Sequence, residues 1–429
     1  MKLSKYSMEI KIDNEKYMLY NTLSRQYYIY TNREQKKIGD FLCTLNRKEY
    51  SLEDIKLLKE LMQKEIIIDE NTSEINKVKY LENSCFYQNK EYRLIIFPTN
   101  ACNFRCVYCT QEHIIKNIEN VVIEKVITLI ERLSCHIKML NITWFGGEPL
   151  LQFEEINKIM QRVIPVCQNN CCDVHTEFVT NGYLLNEQMV QKMKLFHTKI
   201  LQITIDSSPE IHNKRRILAN GSGTYEKIVN NMITVLQQGV EIILRINIDE
   251  ETYKYPIQIL EDIPQTYRDL VTVSISNIFQ TKIKSSSYGI YLNAIQKGYK
   301  YDERKNNFYG CATCGNRKIV INTNGNILFC TNIKGKEGII GKLEKNGIIT
   351  YYNRDRYIEA IMKSACDNKI CRECIELPMC IGRCRLARVK ESNQCLGKAN
   401  GGLSLEERAK LDYYYDEIRS KLNREEKTA

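Results

Sequence analysis

Cysteine is the residue type whose spacing most clearly indicates chemistry in this chain. Of the 18 cysteines among 429 residues, Cys102, Cys106 and Cys109 form a C-x3-C-x2-C triplet in the segment PTNACNFRCVYC. Three thiolates on one short loop can hold three irons of a 4Fe–4S cluster and leave the fourth iron open to a ligand that is not protein. The triplet alone would also suit zinc, so its meaning depends on the elements around it.

A second group of cysteines lies toward the C-terminus. In a reducing compartment, clustered cysteines indicate metal binding or catalysis rather than disulfides. Two C-x2-C pairs in this group would also suit a four-cysteine zinc site. The candidate ligands are Cys311, Cys314, Cys330, Cys371, Cys374, Cys380, Cys384 and Cys395. The remaining cysteines fit no ligand spacing, and we expect them to be buried as small hydrophobic residues.

The charge and hydropathy of the chain exclude several classes of protein. It holds 62 Lys and Arg against 52 Asp and Glu, a net charge of +10. These charges are spread along the chain without a block of one sign, which favours a solvated basic surface over a nucleic-acid site. No segment is as long and apolar as a membrane span, and the charged N-terminus lacks the apolar core of a secretion signal. We therefore predict a cytoplasmic protein with no nucleic-acid partner and no membrane span.

From about residue 92 the chain alternates between apolar strand segments and amphipathic helical segments. The strand segments are YRLIIFP, MLNITWF, VHTEFVT, KILQITID, EIILRINI and LVTVSIS. Apolar strands separated by helices predict an α/β fold with a parallel sheet covered by helices, and six such units fit a partial or full (β/α) barrel. Such barrels place their chemistry at the C-terminal ends of the strands. The cysteine triplet follows the first strand at such an end.

Further motifs follow the later strands in a fixed order: WFGGEPLL, TNGY, ITIDSS, then HNKRR, GSGTY and RINID. Together with the cysteine triplet, they resemble the radical SAM superfamily over residues 92 to about 280. The resemblance implies a partial (β/α)6 barrel, a 4Fe–4S cluster on the triplet, and S-adenosylmethionine bound beside that cluster. The residues it places toward the cofactor are Gly146, Gly147, Glu148, Thr180, Asn181, Asp206, Ser207 and Arg245.

The C-terminal cysteine pattern resembles the SPASM domain of peptide-modifying radical SAM enzymes, which carries two auxiliary 4Fe–4S clusters. The ligands implied for one cluster are Cys314, Cys330 and Cys384, with either Cys311 or an open iron completing it. The ligands implied for the other cluster are Cys371, Cys374, Cys380 and Cys395. The expected cofactors are therefore three 4Fe–4S clusters and S-adenosylmethionine.

Residues 1 to about 90 have a different pattern. YMLYN and QYYIYT predict a β-hairpin, NREQKKIGDFLCTL predicts a helix that begins at an Asn cap, and SLEDIKLLKELMQKEIII predicts a helix with Ser51 as its N-cap. A hairpin with short helices resembles the winged-helix element with which peptide maturases bind a leader sequence. We divide the chain into this winged-helix-like module (1–90), the barrel (91–300), the SPASM domain (301–400) and a C-terminal helix (401–429).

The resemblance implies an oxidoreductase that matures a ribosomally made precursor peptide carrying a leader. In such enzymes a reductant such as flavodoxin or ferredoxin supplies an electron, and a 5′-deoxyadenosyl radical then abstracts a substrate hydrogen. We favour a thioether cross-link, while a carbon–carbon cross-link and epimerisation stay open. A sulfatase-maturing, formylglycine-forming enzyme is a further alternative, although Thr331 stands where those enzymes carry an Asp base. The distant alternative is a four-cysteine metal-binding module without catalysis.

Overall fold

A computed structural model describes most of the chain. The described residues are 1–46, 49–87, 90–111, 114–278, 285–301, 317–332, 335–352, 354–382, 384, 395 and 402–428, and every structural statement below concerns these residues. The predicted ligands Cys311 and Cys314 lie outside them.

The strands are numbered along the chain. They are β1 (Lys2–Leu3), β2 (Ser7–Lys11), β3 (Lys16–Asn21), β4 (Tyr27–Thr31), β5 (Ile67–Ile68), β6 (Glu91–Thr99), β7 (Met139–Gly146), β8 (Asp173–Thr180), β9 (Thr198–Thr204), β10 (Glu241–Ile248), β11 (Val271–Asn277), β12 (Lys300–Tyr301), β13 (Lys318–Ile321), β14 (Asn326–Leu328), β15 (Ile339–Leu343) and β16 (Ile349–Tyr351).

The helices are numbered in the same way. They are α1 (Asn32–Cys43), α2 (Leu52–Gln63), α3 (Glu74–Tyr87), α4 (Asn120–Ser134), α5 (Phe153–Asn169), α6 (Glu187–Leu195), α7 (Pro209–Arg215), α8 (Tyr225–Gln237), α9 (Ile259–Asp262), α10 (Tyr288–Gln296), α11 (Arg354–Met362), α12 (Lys369–Arg372), α13 (Leu377–Cys380) and α14 (Leu405–Thr428).

The six predicted apolar strands form the centre of the molecule. β6 to β11 lie side by side in chain order and pair in parallel. Buried side chains such as Ile142, Trp144 and Leu244 from this sheet share one core with Val126 of α4 and Ile159 of α5. The α/β architecture and the parallel sheet are thus confirmed, and the six strand ends lie along one edge of the sheet.

A C-terminal hairpin extends this sheet, which the sequence did not predict. β13 pairs in parallel with β6 through Lys318 opposite Arg93 and Ile321 opposite Ile96. β14 then returns antiparallel to β13, and Gly325 makes the turn with a φ of +74°. The segment RKIVINTNGNILFC therefore forms the hairpin of β13 and β14, and its buried Ile319 and Ile327 join the core of the main sheet.

The N-terminal strands form a separate three-stranded sheet in the order β2, β3, β4. The predicted hairpin is β3 and β4, and Ser51 caps α2 by accepting a hydrogen bond from Asp54 N at 3.1 Å. Two details of the prediction were wrong. Helix α1 is capped by the extended residue Thr31 rather than by Asn32. Helix α2 ends at Gln63, because the following residues turn at Glu65, with a φ of +58°, and enter β5.

The N-terminal sheet packs on both of its faces. Leu19 and Tyr30 share a cluster with α1 and α2, whereas Met18 and Tyr20 share one with α14. Asp412 of α14 accepts a hydrogen bond from the Tyr20 hydroxyl at 2.7 Å and forms an ion pair with Arg25 at 3.0 Å. The C-terminal helix therefore covers one face of the N-terminal sheet.

The cysteines outside the ligand pattern only partly follow the prediction. Cys167, Cys172 and Cys366 are buried as expected. The expectation was wrong for the exposed residues Cys43, Cys135 and Cys171, which lie in or directly after helices α1, α4 and α5. The side chain of Cys85 lies outside the described part of the chain. No helix among the described residues is long and apolar enough to cross a membrane.

Candidate active site

The loop that carries Cys102, Cys106 and Cys109 (residues 100–111, the cysteine loop) directly follows β6. Backbone hydrogen bonds hold it on two sides. On one side, Arg105 N donates to Ile217 O at 2.8 Å and Val107 N to Arg215 O at 3.0 Å, which makes a short antiparallel ladder around the bridge between Phe104 and Leu218. Cys102 and Cys106 are half-buried and Cys109 is exposed, and all three are free thiols.

On the other side, the Gly146-Gly147 pair after β7 packs against the backbone of the cysteine loop. Gly147 N donates to Thr99 O at 3.0 Å, and Glu148 N donates to Ala101 O at 2.8 Å. A Cβ at Gly146 would lie 2.4 Å from Thr99 O, and one at Gly147 would lie 2.0 Å from Ala101 O. The glycines are therefore required by the approach of the cysteine loop itself, a reason that the sequence analysis did not identify.

Glu148 joins the end of β7 to the end of β8. Its fully buried carboxylate accepts hydrogen bonds from Leu150 N at 3.0 Å, the Thr180 hydroxyl at 2.7 Å and Asn181 N at 2.7 Å. Burial raises the pKa of Glu148, while these donors act in the opposite direction. The donors to the carboxylate fix the relative positions of the two strand ends.

Asn181 continues this network to the cysteine loop. Its Nδ2 donates to Asn103 Oδ1 at 2.8 Å and lies 3.9 Å from the Cys102 sulfur. Its Oδ1 accepts from Tyr183 N at 3.0 Å. Hydrogen bonds to thiolate sulfur are one means by which a protein tunes a metal centre, so Asn181 is placed to act on Cys102.

The Tyr108 hydroxyl connects the cysteine loop to β9 and β10. It donates to Asp206 Oδ2 at 2.6 Å and accepts from an Nη atom of Arg216 at 3.0 Å and from Asn247 Nδ2 at 3.3 Å. Burial raises the pKa of Asp206, and Arg216 opposes that shift most strongly. Asp206 was expected at this site from its motif. No role was expected for Arg216, for which the double arginine in HNKRR is the only signal in the sequence.

His212 and Thr224 hold the segment that carries Arg216. Asp206 N donates to His212 Nδ1 at 3.1 Å, and burial lowers the pKa of His212 well below its usual value. The neutral ring therefore carries its proton on Nε2, which lies 3.1 Å from the Thr224 hydroxyl. That hydroxyl donates to Arg216 O at 2.6 Å, so the two motifs HNKRR and GSGTY act together to position Arg216.

Two further predicted site residues, Ser207 and Arg245, lie after β9 and within β10. Ser207 adopts a φ of +37°, and its buried hydroxyl donates to Thr252 O at 3.2 Å. A left-handed backbone at a residue other than glycine is uncommon and occurs often at functional sites. Arg245, within β10, donates from Nε to Asn247 Oδ1 at 3.2 Å and so borders the Tyr108 network.

Comparison with known proteins identifies the central region. Residues 96–263 match the family model described as the Radical SAM superfamily. The chain carries a radical SAM domain. It is also similar to the radical SAM cyclopropyl synthase TigE of Paramaledivibacter caminithermalis, with 23% identity over 99% of this chain and 96% of that protein.

Two solved structures share the fold of this radical SAM protein. The structure of anSMEcpe with bound AdoMet and the Cp18Cys peptide superposes with a TM-score of 0.55, at 18% identity over 78% of this chain and 99% of that chain. Streptococcus suis SuiB bound to its precursor peptide SuiA superposes with a TM-score of 0.52, at 14% identity over 91% and 97% of the two chains. At these identities the likeness establishes the fold.

The radical SAM site has buried polar atoms that could bind a ligand. Within the described residues, Asn103 Nδ2, Asp206 Oδ1 and Arg216 Nε are buried and have no hydrogen-bond partner. They include both donors and an acceptor, which suits a ligand with hydroxyl, amino and carboxylate groups such as S-adenosylmethionine. Which of the predicted residues contact that cofactor stays a prediction.

The cysteine loop also fits an iron–sulfur cluster. Burial raises the pKa of the Cys102 thiol to about 11, so bound iron is what would ionise it. No three Cys, His, Asp or Glu side chains of the described residues converge as ligands of a single ion do. In a 4Fe–4S cluster each thiolate binds a different iron, so its ligands are more widely spaced. When bound, the cluster and S-adenosylmethionine supply the family's radical chemistry, and the chain supplies their positions.

Several of the C-terminal cysteines lie near one another. Cys380 and Cys395 lie close enough to Cys374 to add to the rise in its pKa that burial causes. Cys374 N donates to Cys371 O at 3.1 Å, so these four predicted ligands lie in one region. Of the other set, Cys330 follows β14 and accepts from Asn332 N at 3.4 Å, and Cys384 is exposed.

A cavity of about 330 Å³ lies between the cysteine loop and the C-terminal hairpin. Asn100 and Gln111 line it from the loop, and Asn322, Asn326 and Thr331 line it from the hairpin region. The Gln111 amide lies 3.5 Å from Thr331 O and so closes one wall. None of the described residues that line the cavity carries a carboxylate or an imidazole.

Proposed function

We propose that this protein is a radical SAM peptide maturase that removes a hydrogen from a ribosomally made precursor and installs a thioether cross-link. The observation that carries this proposal is the cavity that the cysteine loop shares with the hairpin preceding Cys330. A substrate in that cavity would lie between the predicted radical site and a predicted auxiliary cluster.

The lining of the cavity favours a peptide as substrate. The amide side chains of Asn100, Gln111 and Asn326 can each donate to and accept from a main-chain amide. Thr331 also lines the cavity, at the position where sulfatase-maturing enzymes carry an Asp base. A cavity without an acid or an imidazole among its described lining residues is poorly equipped for formylglycine formation, which argues for cross-linking.

The proposed cofactors are three 4Fe–4S clusters and S-adenosylmethionine, with flavodoxin or ferredoxin as the reductant. The free thiols of all described cysteines are consistent with a reducing cytoplasm, where we place the protein. The proximity of Cys374, Cys380 and Cys395 supports the cluster assigned to them.

The N-terminal module is proposed to bind the leader. The outer strands β2 and β4 have no further strand partner among the described residues, so a leader could add as a strand to either edge. Helix α2 exposes Leu52 at 80%, Ile55 at 37% and Met62 at 40%, which gives an apolar stripe suited to leader side chains.

A second candidate product is a cyclopropane ring. It is favoured by the similarity to TigE, a radical SAM cyclopropyl synthase, because that similarity covers 99% of this chain. Both products require the substrate to lose two hydrogens, but a thioether consumes a cysteine thiol and a cyclopropane does not.

The test is to reconstitute the protein anaerobically with iron and sulfide and supply S-adenosylmethionine, a reductant and short precursors encoded near its gene. We expect 5′-deoxyadenosine and a peptide lighter by two hydrogens. Alkylation with iodoacetamide then identifies the product, since one fewer reactive thiol indicates a thioether and an unchanged number indicates a carbon–carbon bond. Absence of 5′-deoxyadenosine from cluster-replete protein would overturn the proposal.

A further inference from the structure

We infer that Arg216 is a buried cation that faces Cys106 and raises the reduction potential of the cluster on the cysteine loop. The inference rests on the proposed function only in requiring that this loop holds an iron–sulfur cluster. It assigns a task to a residue that neither the sequence motifs nor the comparisons explain.

The backbone pairing places the two side chains together. Arg105 N bonds to Ile217 O and Val107 N bonds to Arg215 O, so Cys106 and Arg216 are directly opposite each other between these two bonded pairs. Side chains of such a non-hydrogen-bonded antiparallel pair are the closest in a ladder and point to the same face. Arg216 is only 6% exposed, and its guanidinium carbon lies 5.7 Å from the centre of the Phe104 ring.

Within the described part of the chain, no carboxylate forms an ion pair with Arg216. The neighbouring Arg215 forms the ion pairs with the nearby acids, at 2.8 Å to Asp249 and 3.8 Å to Asp206. Arg216 instead donates to the Tyr108 hydroxyl at 3.0 Å, and that hydroxyl donates to Asp206 at 2.6 Å. The tyrosine thus separates the guanidinium from the carboxylate, and burial protects the charge from screening by salt.

A fixed cation at this position favours the reduced cluster. Reduction adds a negative charge, and net charge and solvent exposure are among the features that set the potential of an iron–sulfur centre. Asp206 has the opposite charge and should act in the opposite direction.

The experiment is an anaerobic redox titration of the full-length reconstituted protein, without S-adenosylmethionine, followed by electron paramagnetic resonance. The signal of interest is the one that disappears in the Cys102→Ala, Cys106→Ala, Cys109→Ala variant. At a fixed potential, Arg216→Gln should lower the ratio of reduced to oxidised cluster at least tenfold, equivalent to about 59 mV for a one-electron couple. Asp206→Asn should raise the ratio, and Lys214→Gln, an exposed neighbour, should leave it unchanged.

A double variant keeps the inference testable if Arg216→Gln alone does not fold. Arg216→Gln removes a cation and leaves Asp206 with one fewer counter-charge, whereas Arg216→Gln with Asp206→Asn removes both charges. At the same fixed potential, the ratio of reduced to oxidised cluster in the double variant should be at least tenfold lower than in Asp206→Asn. Equal titration of these two variants, or of wild type and a folded Arg216→Gln, overturns the inference. If the triple cysteine variant loses no signal, the proposed cluster site is wrong instead.

Discussion

The two cysteine regions of this protein use the same kind of ligand in different structural settings. The cysteine loop is hydrogen-bonded to its surroundings on both sides, through Thr99 and Ala101 to Gly147 and Glu148 and through Arg105 and Val107 to the ladder. The C-terminal ligands Cys371 and Cys380 lie instead in α12 and α13, helices of four residues each. Helices so short are not stable by themselves.

This difference indicates two ways in which the proposed metal sites would be made. The radical SAM loop is held in place by protein contacts alone. The proposed C-terminal ligands are separated in sequence and need either packing or metal to hold them together, and metal binding there would also contribute to folding. Three of the four predictions that follow test this contrast, and the fourth concerns the N-terminal module.

The largest expected effect is the loss of all S-adenosylmethionine cleavage when Cys102, Cys106 and Cys109 are changed together to Ala. Because the loop is held by backbone hydrogen bonds, the protein should still fold and keep its auxiliary clusters. Iron content should fall by about four atoms per chain, one 4Fe–4S unit. Measurable 5′-deoxyadenosine from this variant would contradict the assignment.

Removal of iron should affect the two regions differently. In iron-free protein, hydrogen exchange of residues 369–380 should approach that of an unfolded segment, because the cysteines of these short helices lose the metal that they are proposed to bind. Exchange in β13 and β14 should be unchanged, since Ile319 and Ile327 belong to the core of the main sheet. Equal protection of residues 369–380 with and without iron would show that packing alone holds them.

The preformed loop should be sensitive to a single methyl group. Gly147→Ala would place a Cβ 2.0 Å from Ala101 O, so the loop must move away from β7. Displacements of about 1 Å can cost on the order of 100-fold in rate, and we expect a loss of that size in 5′-deoxyadenosine formation with the iron content unchanged.

The matched control is Gly39→Ala in α1, where nothing lies within 4 Å of the added Cβ. It should leave the rate unchanged and stabilise the protein by up to about 1 kcal/mol, because Ala is the better helix former. Full activity of Gly147→Ala would mean that the loop tolerates displacement and is less preformed than its contacts indicate.

The strands, most of their order and the placement of the motifs near successive strand ends could be predicted, because apolar alternation and motif spacing are local in sequence. The roles of the motif residues stay predictions. The pairing of the Arg216 segment with the cysteine loop could not. It joins residues about 110 apart, and nothing in the local pattern specifies that register. The same holds for β13 beside β6, since residues 317–321 read as an isolated short strand until the exposed edge of β6 is known.

The smallest effect should come from the third region, the N-terminal module, for which no metal ligand is predicted. Deleting it would uncover the face of α14 on which Met18 and Tyr20 pack, so surface variants are the better test. Leu52→Glu with Ile55→Glu on α2 should raise KM for a leader-bearing precursor about tenfold, since a leader on this surface would bury only part of each side chain, whereas complete burial contributes roughly 1.5–3 kcal/mol per side chain. The kcat value and 5′-deoxyadenosine formation without peptide should not change.

Leu195→Glu provides the matched control for this last variant, because Leu195 is 71% exposed at the end of α6 in the barrel. It introduces one of the two negative charges of the test variant on an exposed apolar residue away from the proposed leader surface, and KM should stay at the wild-type value. An equal rise in KM in both variants would indicate a general charge effect. No rise in either would assign leader binding to another surface, such as the edges of β2 and β4, where a proline substitution at Glu9 or Ile29 would then be the variant to measure.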